Sequence, residues 1–213
     1  MKINLNLKNK IKIWKIIYKI RRTEEIIALN YYKEKMRCPT HLSIGQEAVP
    51  ATLSLFINRK DQAISGHRGH AHYLAKGGNL KKMLCEIHGK ANGCSEGKGG
   101  SMHLKDDKVG FVGTTAIVGN SIPIGVGLGL SIKLKKKKNL AIIYLGDGAI
   151  EEGVFYESLN FAIIKKIPVL FICENNFYSV YSSLKVRQPK NRKIYKLSQG
   201  IGCKSDFTDG NDY

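Results

Sequence analysis

Two short apolar runs, Leu140–Leu145 and Val169–Cys173, each stop abruptly in polar residues: Gly146-Asp147-Gly148 after the first, Asn175-Asn176 after the second. Between them Val154, Phe155, Leu159, Ala162 and Ile163 recur near helical spacing over Glu151–Lys165. The pattern predicts strand, helix and parallel strand, joined by a right-handed crossover that brings both polar ends to one edge of a sheet. Ligands of open α/β sheets bind beyond the carboxyl ends of the strands, where this pair points. Upstream, Ile13, Trp14, Ile16, Ile17, Ile20, Ile26, Ile27 and Tyr31 mark Ile11–Met36 as one long helix or two abutting ones, with Thr23 a candidate internal cap and Pro39 the stop. Gln46–Ile57 reads as a helix and Gln62–Ser65 as a short strand. Asn79–Gly89 is a helix with Leu80, Met83, Leu84 and Ile87 on one face, and Gly89 suits its C-terminal cap. Lys90–Gly119 is a long glycine-rich loop whose composition favours an ordered binding segment. Ser121–Leu134 is a helix whose Gly125, Gly127 and Gly129 require close packing. After Asn176, Phe177–Asn191 reads as loop, Tyr195–Gly200 as a helical turn, and Gly210–Tyr213 as a turn with no further strand.

These elements predict an α/β, three-layer fold with a mostly parallel sheet. Residues 1–37 form an N-terminal helical arm, and residues 38–213 are the front part of a longer binding domain, incomplete at its C-terminus. At 213 residues the chain is long enough for one core and short for a two-lobed α/β enzyme.

A formal net charge of +18 raises the question of nucleic acid. The lysines are dispersed among Ile and Asn, however, and the only dense run, Lys133–Lys138, falls in a helix-to-strand connection where solvated lysines are ordinary. A DNA-binding reading predicts salt-sensitive retention of arbitrary duplexes. The five cysteines form no CxxC pair, and Cys173 lies inside an apolar strand. A reducing compartment, the cytoplasm, is expected. Charges interrupt Met1–Arg22 every two or three residues, so no signal peptide or membrane span is expected there; a basic amphipathic helix packed on protein is the reading.

Asp147 offers a carboxylate, Asn176 an amide oxygen, and the irregular backbone near Tyr178 a carbonyl. Such hard, sparse oxygen ligands suit Mg²⁺, which fills the rest of its octahedron with phosphate oxygens and water. Gly146 and Gly148 allow close backbone approach, and a helix beginning near Ala149 or Ile150 would aim free N–H groups at an anion. A lone Gly-Asp-Gly is only a strand-to-helix turn; joined by one crossover to a second polar strand end, it predicts a site for a Mg²⁺-bridged diphosphate. A nicotinamide site is disfavoured, because Gly125-Val126-Gly127-Leu128-Gly129-Leu130 lacks the third glycine of GxGxxG and follows Pro123 rather than a strand.

This pair of strand ends resembles the thiamine-diphosphate fingerprint, with just under thirty residues between its halves. Thr40-His41-Leu42-Ser43-Ile44-Gly45-Gln46-Glu47-Ala48, Ser65-Gly66-His67-Arg68-Gly69-His70, Gly97–His103 and Ile117-Val118-Gly119 follow in family order. Together they are similar to the α subunit of the decarboxylating dehydrogenase component of 2-oxoacid dehydrogenase complexes, a group that includes pyruvate, branched-chain 2-oxoacid and acetoin dehydrogenases. The resemblance runs from about Arg21 to the C-terminus and implies a thiamine-diphosphate-binding fold. It implies oxidative decarboxylation of a 2-oxo acid such as pyruvate, or cleavage of acetoin, with acyl transfer to a lipoyl-bearing acyltransferase. It also implies thiamine diphosphate and Mg²⁺ as cofactors, and a β subunit that supplies the glutamate activating the cofactor.

By the same resemblance His41 faces the substrate and His70 sits over the cofactor as catalytic residues. His67 and Arg68 contact the diphosphate, Ile117 and Val118 wall the cofactor's bent middle, and Gly146, Asp147, Gly148, Ala149 and Asn176 bind it. Asp147, Asn176 and Tyr178 hold the metal. The pyruvate branch usually has Tyr where this chain has His67, and His67-Arg68-Gly69-His70 is closer to the acetoin branch. All six histidines lie between His41 and His103. Zinc is the alternative for such a cluster, but His67, His70 and His72 share no ligand spacing with a cysteine. His88 and His103 read as a helix-surface and a loop-packing residue. Two further readings stay open: a truncated, non-catalytic or assembly subunit, and a basic nucleic-acid-binding protein.

Overall fold

The computed structural model describes residues 5–36 and 38–211. The first four residues of the basic N-terminal stretch, the Arg37 edge of the expected arm and the last two residues of the terminal turn lie outside the described residues. In chain order the helices are α1 (Leu7–Tyr31), α2 (Ala48–Leu53), α3 (His70–Ala75), α4 (Leu80–Ile87), α5 (Ser121–Leu134), α6 (Gly153–Ile164), α7 (Leu184–Arg187) and α8 (Ile194–Ile201). The strands are β1 (Gln62–Ser65), β2 (Phe111–Thr114), β3 (Ala141–Gly146), β4 (Val169–Glu174), β5 (Tyr178–Ser179) and β6 (Ser182–Ser183). Among the described residues no helix is long and apolar enough to cross a membrane. The chain divides into two compact units: the described parts of 1–60, 67–114 and 210–213, and Asp61–Gly66 with Thr115–Asp209.

In the second unit β1, β3 and β4 run parallel with β3 in the middle, Gln62 opposite Ala141 and Ala141 opposite Val169. The predicted strand, helix and parallel strand are thus present. β3 is buried from Ala141 to Leu145, as an inner strand covered on both faces must be. Ile64, Ile122, Val126, Ile143, Phe155 and Leu159 build one core between the sheet and helices α5 and α6. A β-carbon on Gly125 would lie 2.3 Å from Ile143 Cγ1, and one on Gly129 2.5 Å from Val169 Cγ1, so two of the three α5 glycines let the helix backbone lie on the sheet. Gly127 faces open space.

In the first unit α1 packs on α2 and α3. It is a single helix, capped at its start by the Asn6 side chain, which accepts from Asn9 N at 2.9 Å. Thr23 is not an internal cap: its hydroxyl donates to Lys19 O one turn back, a bond a continuous helix can accept. The helix ends at Tyr31, eight residues before Pro39, where Tyr32 still has helical angles. The helix expected over Gln46–Ile57 is shortened to α2. All six residues of α3 are buried, and Tyr73 meets Phe111 edge-on with ring centroids 5.5 Å apart.

The segment expected to be one long loop is subdivided. It contains turns of 3-10 helix at Gly100–Met102 and Asp107–Val109 and then β2. A bridge between Asp106 and Phe111 and a bond from Leu104 N to Thr114 Oγ1 at 2.8 Å fold it back on itself. Likewise Phe177–Asn191 holds the two-residue hairpin β5–β6 and the single turn α7.

Candidate functional site

The carboxyl edge of the second unit carries an acidic cluster. Gly146 is the last residue of β3 and pairs in register with Glu174, the last of β4. Asp147 and Asn175 therefore leave the sheet side by side, with Asn176 one residue further. Asp147 is 1% exposed. The helix does not begin at Ala149 or Ile150 as expected: Asp147–Glu151 is a 3-10 turn, and α6 starts only at Gly153. Glu152 is extended, with ψ 136°, which separates the two helical segments. Ala149 is buried within that turn. Gly148 is required by packing, since a β-carbon there would stand 2.7 Å from Ser179 Oγ, whereas above Gly146 there is open space.

Arg187, which sequence reasoning passed over inside a presumed loop, closes this edge. Its Nη2 donates to Asp147 Oδ2 at 2.5 Å and its Nη1 to Glu151 Oε1 at 2.7 Å. Gln188 Nε2 donates to the same Glu151 oxygen at 2.9 Å. Burial opposes the charge of Arg187, and the two carboxylates outweigh it, so its pKa is raised. Asn175 and Asn176 turn the chain: their side-chain oxygens accept from Phe177 N at 3.1 Å and Tyr178 N at 3.0 Å. Phe177 and Val180 are both left-handed, with φ of 68° and 54°, a conformation that costs a side-chain-bearing residue energy and is found most at functional turns. Ile117 and Val118 are 67% and 41% exposed, a bare apolar pair just before the left-handed Gly119.

Among the described residues no three His, Cys, Asp or Glu side chains converge as a metal cage. The donors on this edge are one buried carboxylate and the amide oxygen of Asn176, which has a second lone pair beyond the bond from Tyr178 N. That set fits Mg²⁺ when phosphate oxygens complete the coordination. The open space above Gly146 leaves room for a phosphate group, while Nε, Nη1 and Nη2 of Arg187 are already bonded to Ser182 O, Glu151 and Asp147.

The first unit holds the histidines. His70 is completely buried, its Nδ1 3.1 Å from Glu24 Oε2 and its Nε2 2.8 Å from Ser101 Oγ. An ionised carboxylate can only accept, so Nδ1 donates to Glu24, while Nε2 and the Ser101 hydroxyl, which can both donate and accept, form the second hydrogen bond. Glu24 is itself fully buried, and its other oxygen accepts from Ser43 N at 3.2 Å. The signal for Glu24 was legible: it stands four residues after Ile20 and three before Ile27, inside the buried stripe of α1.

His41 and His67 meet edge to face with centroids 4.6 Å apart. Burial, then the neighbouring charges of His41 and Arg68, lowers His67 to about 4. Burial, Arg68 and His70 also lower His41. His41 Nδ1 is buried without a hydrogen-bond partner, which costs about 1–3 kcal/mol. Arg68 donates through Nη1 to Leu42 O, the carbonyl next to His41.

The glycine-rich segment is shaped by a residue the sequence did not single out. Glu86 on α4 is completely buried and accepts four backbone N–H bonds from one loop: Ser95 at 2.7 Å, Gly97 at 2.9 Å, Gly99 at 2.7 Å and Gly100 at 3.1 Å. No room remains for side chains around it; a β-carbon on Gly93 would stand 2.3 Å from Glu86 Oε2. The loop so fixed presents Ser101 to His70. His103 is exposed, and its carbonyl accepts from Ser95 Oγ at 2.6 Å, while His88 Nδ1 lies 2.8 Å from Leu84 O.

The family model described as "Dehydrogenase E1 component" matches residues 17–213. The chain is 39% identical over 203 residues to "Pyruvate dehydrogenase E1 component subunit alpha" of Rickettsia typhi, covering 95% of this chain and 62% of that protein. It is 38% identical over 192 residues to the mitochondrial "subunit alpha-1" of Oryza sativa subsp. japonica, covering 89% of this chain and 49% of the relative. With the Rhizobium meliloti subunit alpha it shares 37% over 174 residues, 82% of this chain and 50% of that one. The chain thus spans at most about three-fifths of the length of these relatives (62%). Its matched length and the ordered motifs identify it as a member of the dehydrogenase E1 component family.

Proposed function

We propose that this chain is the thiamine-diphosphate-binding α part of a 2-oxo acid dehydrogenase, acting on pyruvate or a close analogue. The observation that carries the reading is the buried Asp147 carboxylate, set by the Gly146–Glu174 register beside Asn175-Asn176 at the carboxyl edge of parallel strands. Asp147, Asn176 and a backbone carbonyl at Tyr178 would hold Mg²⁺, and Gly146, with open space above it, would let the diphosphate approach the turn that Gly148 and Ala149 complete. Thiamine diphosphate, when bound, supplies the carbanion chemistry by which a 2-oxo acid loses carbon dioxide. Arg68 and His67 would contact the diphosphate, Ile117 and Val118 would give the cofactor an apolar wall, and His41 would face the substrate. A neutral His41 suits that role, since it donates or accepts one hydrogen bond without repelling the metal. His70 acts from within, its ring held by Glu24 and Ser101.

A β subunit contributes the glutamate that activates the cofactor, and a lipoyl-bearing acyltransferase takes the acyl group. The five cysteines are unpaired thiols, which supports a reducing, cytoplasmic setting. His67 in place of the usual Tyr makes acetoin the competing substrate, and parallel assays with pyruvate and acetoin separate the two.

The test is calorimetric titration of thiamine diphosphate into wild type and Asp147→Asn, each with its β partner and Mg²⁺. Loss of the charged ligand is expected to weaken binding by at least a hundredfold, about 3 kcal/mol. Equal affinities would overturn the assignment.

A further inference from the structure

Helix α1 has two apolar faces, and the first unit uses only one. Ile13, Ile20 and Ile27 repeat every seven residues and are buried. On the other side Leu7, Ile11, Trp14 and Tyr18 follow at spacings of four, three and four, which at 3.6 residues per turn confines them to a sector of about 60°. They are 73%, 45%, 56% and 54% exposed. Trp14 already stacks on Tyr18, with centroids 5.4 Å apart and planes 17° from parallel. The stripe is therefore a preformed ledge whose two aromatic rings lose little freedom on contact, as the anchors of protein interfaces do.

Its surroundings are cationic and lopsided. From Leu7 to Thr23 the helix has no acidic residue. Lys8, Lys15 and Lys19 fall along one flank of the stripe, about 80–120° round the helix from Leu7, with Arg22 beside them paired to Glu25. The other flank has Lys10 and Arg21, and Arg21 is committed to Glu47 at 2.5 Å. A lipid surface seats cations on both flanks of a helix lying in it, and a second copy of this chain would bring the same lysines and a net charge of +18 against them.

We propose that the Leu7–Tyr18 stripe is a docking face for an acidic amphipathic helix of a partner protein. The partner's apolar residues lie on Leu7, Ile11, Trp14 and Tyr18, and its carboxylates run along Lys8, Lys15 and Lys19. Four side chains cover less than the ~800 Å² per partner of a standard stable interface, so the contact alone is of micromolar strength or weaker. It acts as one point of attachment among others.

Trp14 is the only tryptophan of the chain and sits in the stripe, so its emission reports occupancy directly. The whole chain is titrated with a three-heptad helical peptide whose leucine stripe is bordered on one side by glutamates. Saturable blue-shifted emission is expected, weakened about tenfold or more by the double variant Lys15→Glu/Lys19→Glu and by added salt. Both lysines are exposed, and an unchanged far-ultraviolet circular dichroism spectrum and melting curve check that the variant is folded. No shift with the glutamate peptide, or an equal shift when lysines replace its glutamates, overturns the proposal. So does a shift given only by vesicles of equal parts phosphatidylcholine and phosphatidylserine, which assigns the stripe to membranes. A shift that appears with protein concentration alone, together with dimer in sedimentation, assigns it to a second copy.

Discussion

His67 touches His41 and lies next to Arg68, and these neighbours, after burial, keep its pKa near 4 in the folded chain. In the unfolded chain an imidazole titrates near 6.5. The folded value is the lower of the two, so between about pH 6.5 and 4 the unfolded state binds a proton that the folded state refuses. The stability this refusal represents is fully present above pH 6.5 and is lost as pH falls through the window. Urea midpoints measured from pH 7 to 4.5 should decline more steeply in wild type than in His67→Gln, by about one proton's worth of slope. Parallel declines would show that the ring titrates freely in the folded protein. What could be read in advance here was identity, not environment. The sequence marked His41, His67, Arg68 and His70 by motif, but that His70 lies fully enclosed between Glu24 and Ser101 depends on α1 crossing α3 and on where the glycine loop folds. Arg187 was illegible for the same reason: a lone arginine in a polar loop has no periodicity, and only the folded hairpin β5–β6 brings it to Asp147.

At the scale of elements, legibility followed burial periodicity. β1, β3, β4 and α5 were read to within a residue, because β3 and β4 are almost continuous apolar runs and α5 alternates its glycines with aliphatic residues. β2 was hidden, since Phe111-Val112-Gly113-Thr114 is only four residues long and has one fully buried aromatic beside a glycine. The packing of α5 gives a paired prediction. Gly125→Ala forces a methyl into Ile143 and should cost about 1–3 kcal/mol, whereas Gly127→Ala adds a methyl to the open face and should stabilise by about 0.5–1 kcal/mol. Chemical denaturation of the two variants distinguishes them by sign, and a gain at both would mean that helix and sheet are not in close contact. Glu86 gives the corresponding prediction for the loop it organises. Glu86→Ala strips the acceptor from four amides at once, so the protein should lose at least about 3 kcal/mol. Glu86→Gln keeps one acceptor oxygen and should lose less. Hydrogen exchange at Ser95, Gly97, Gly99 and Gly100 should quicken together in Glu86→Ala and chiefly at one of the two pairs (Ser95/Gly97 or Gly99/Gly100) in Glu86→Gln, and unchanged protection at those amides would exclude Glu86 as the organiser.

For the molecule as a whole, the dominant fact is charge: 35 lysines and arginines against 17 acids. The strongest pairs between them are spent locally, Arg21 on Glu47 and Arg187 on Asp147 and Glu151, while Lys133–Lys138 and most lysines of α1 stand exposed. The excess cations therefore repel one another across the surface more than they are matched by acids. Folding brings these charges closer than they are in an extended chain, so at low ionic strength self-repulsion works against the compact state. At 0.15 M salt the Debye length falls to about 8 Å, and repulsion between exposed lysines farther apart than that is largely screened. Buried pairs such as Asp147–Arg187 are screened far less, so salt removes the unfavourable part of the electrostatics and leaves most of the favourable part. Raising sodium chloride from about 10 mM to 150 mM should then lift the melting temperature by a few degrees, since 1 kcal/mol corresponds to about 2–4 °C in a chain of this size. The effect should saturate with ionic strength and be the same for chloride and acetate. A melting temperature that falls with salt would mean that attractive surface pairs dominate. A rise seen only with phosphate or diphosphate would instead report occupation of an anion site.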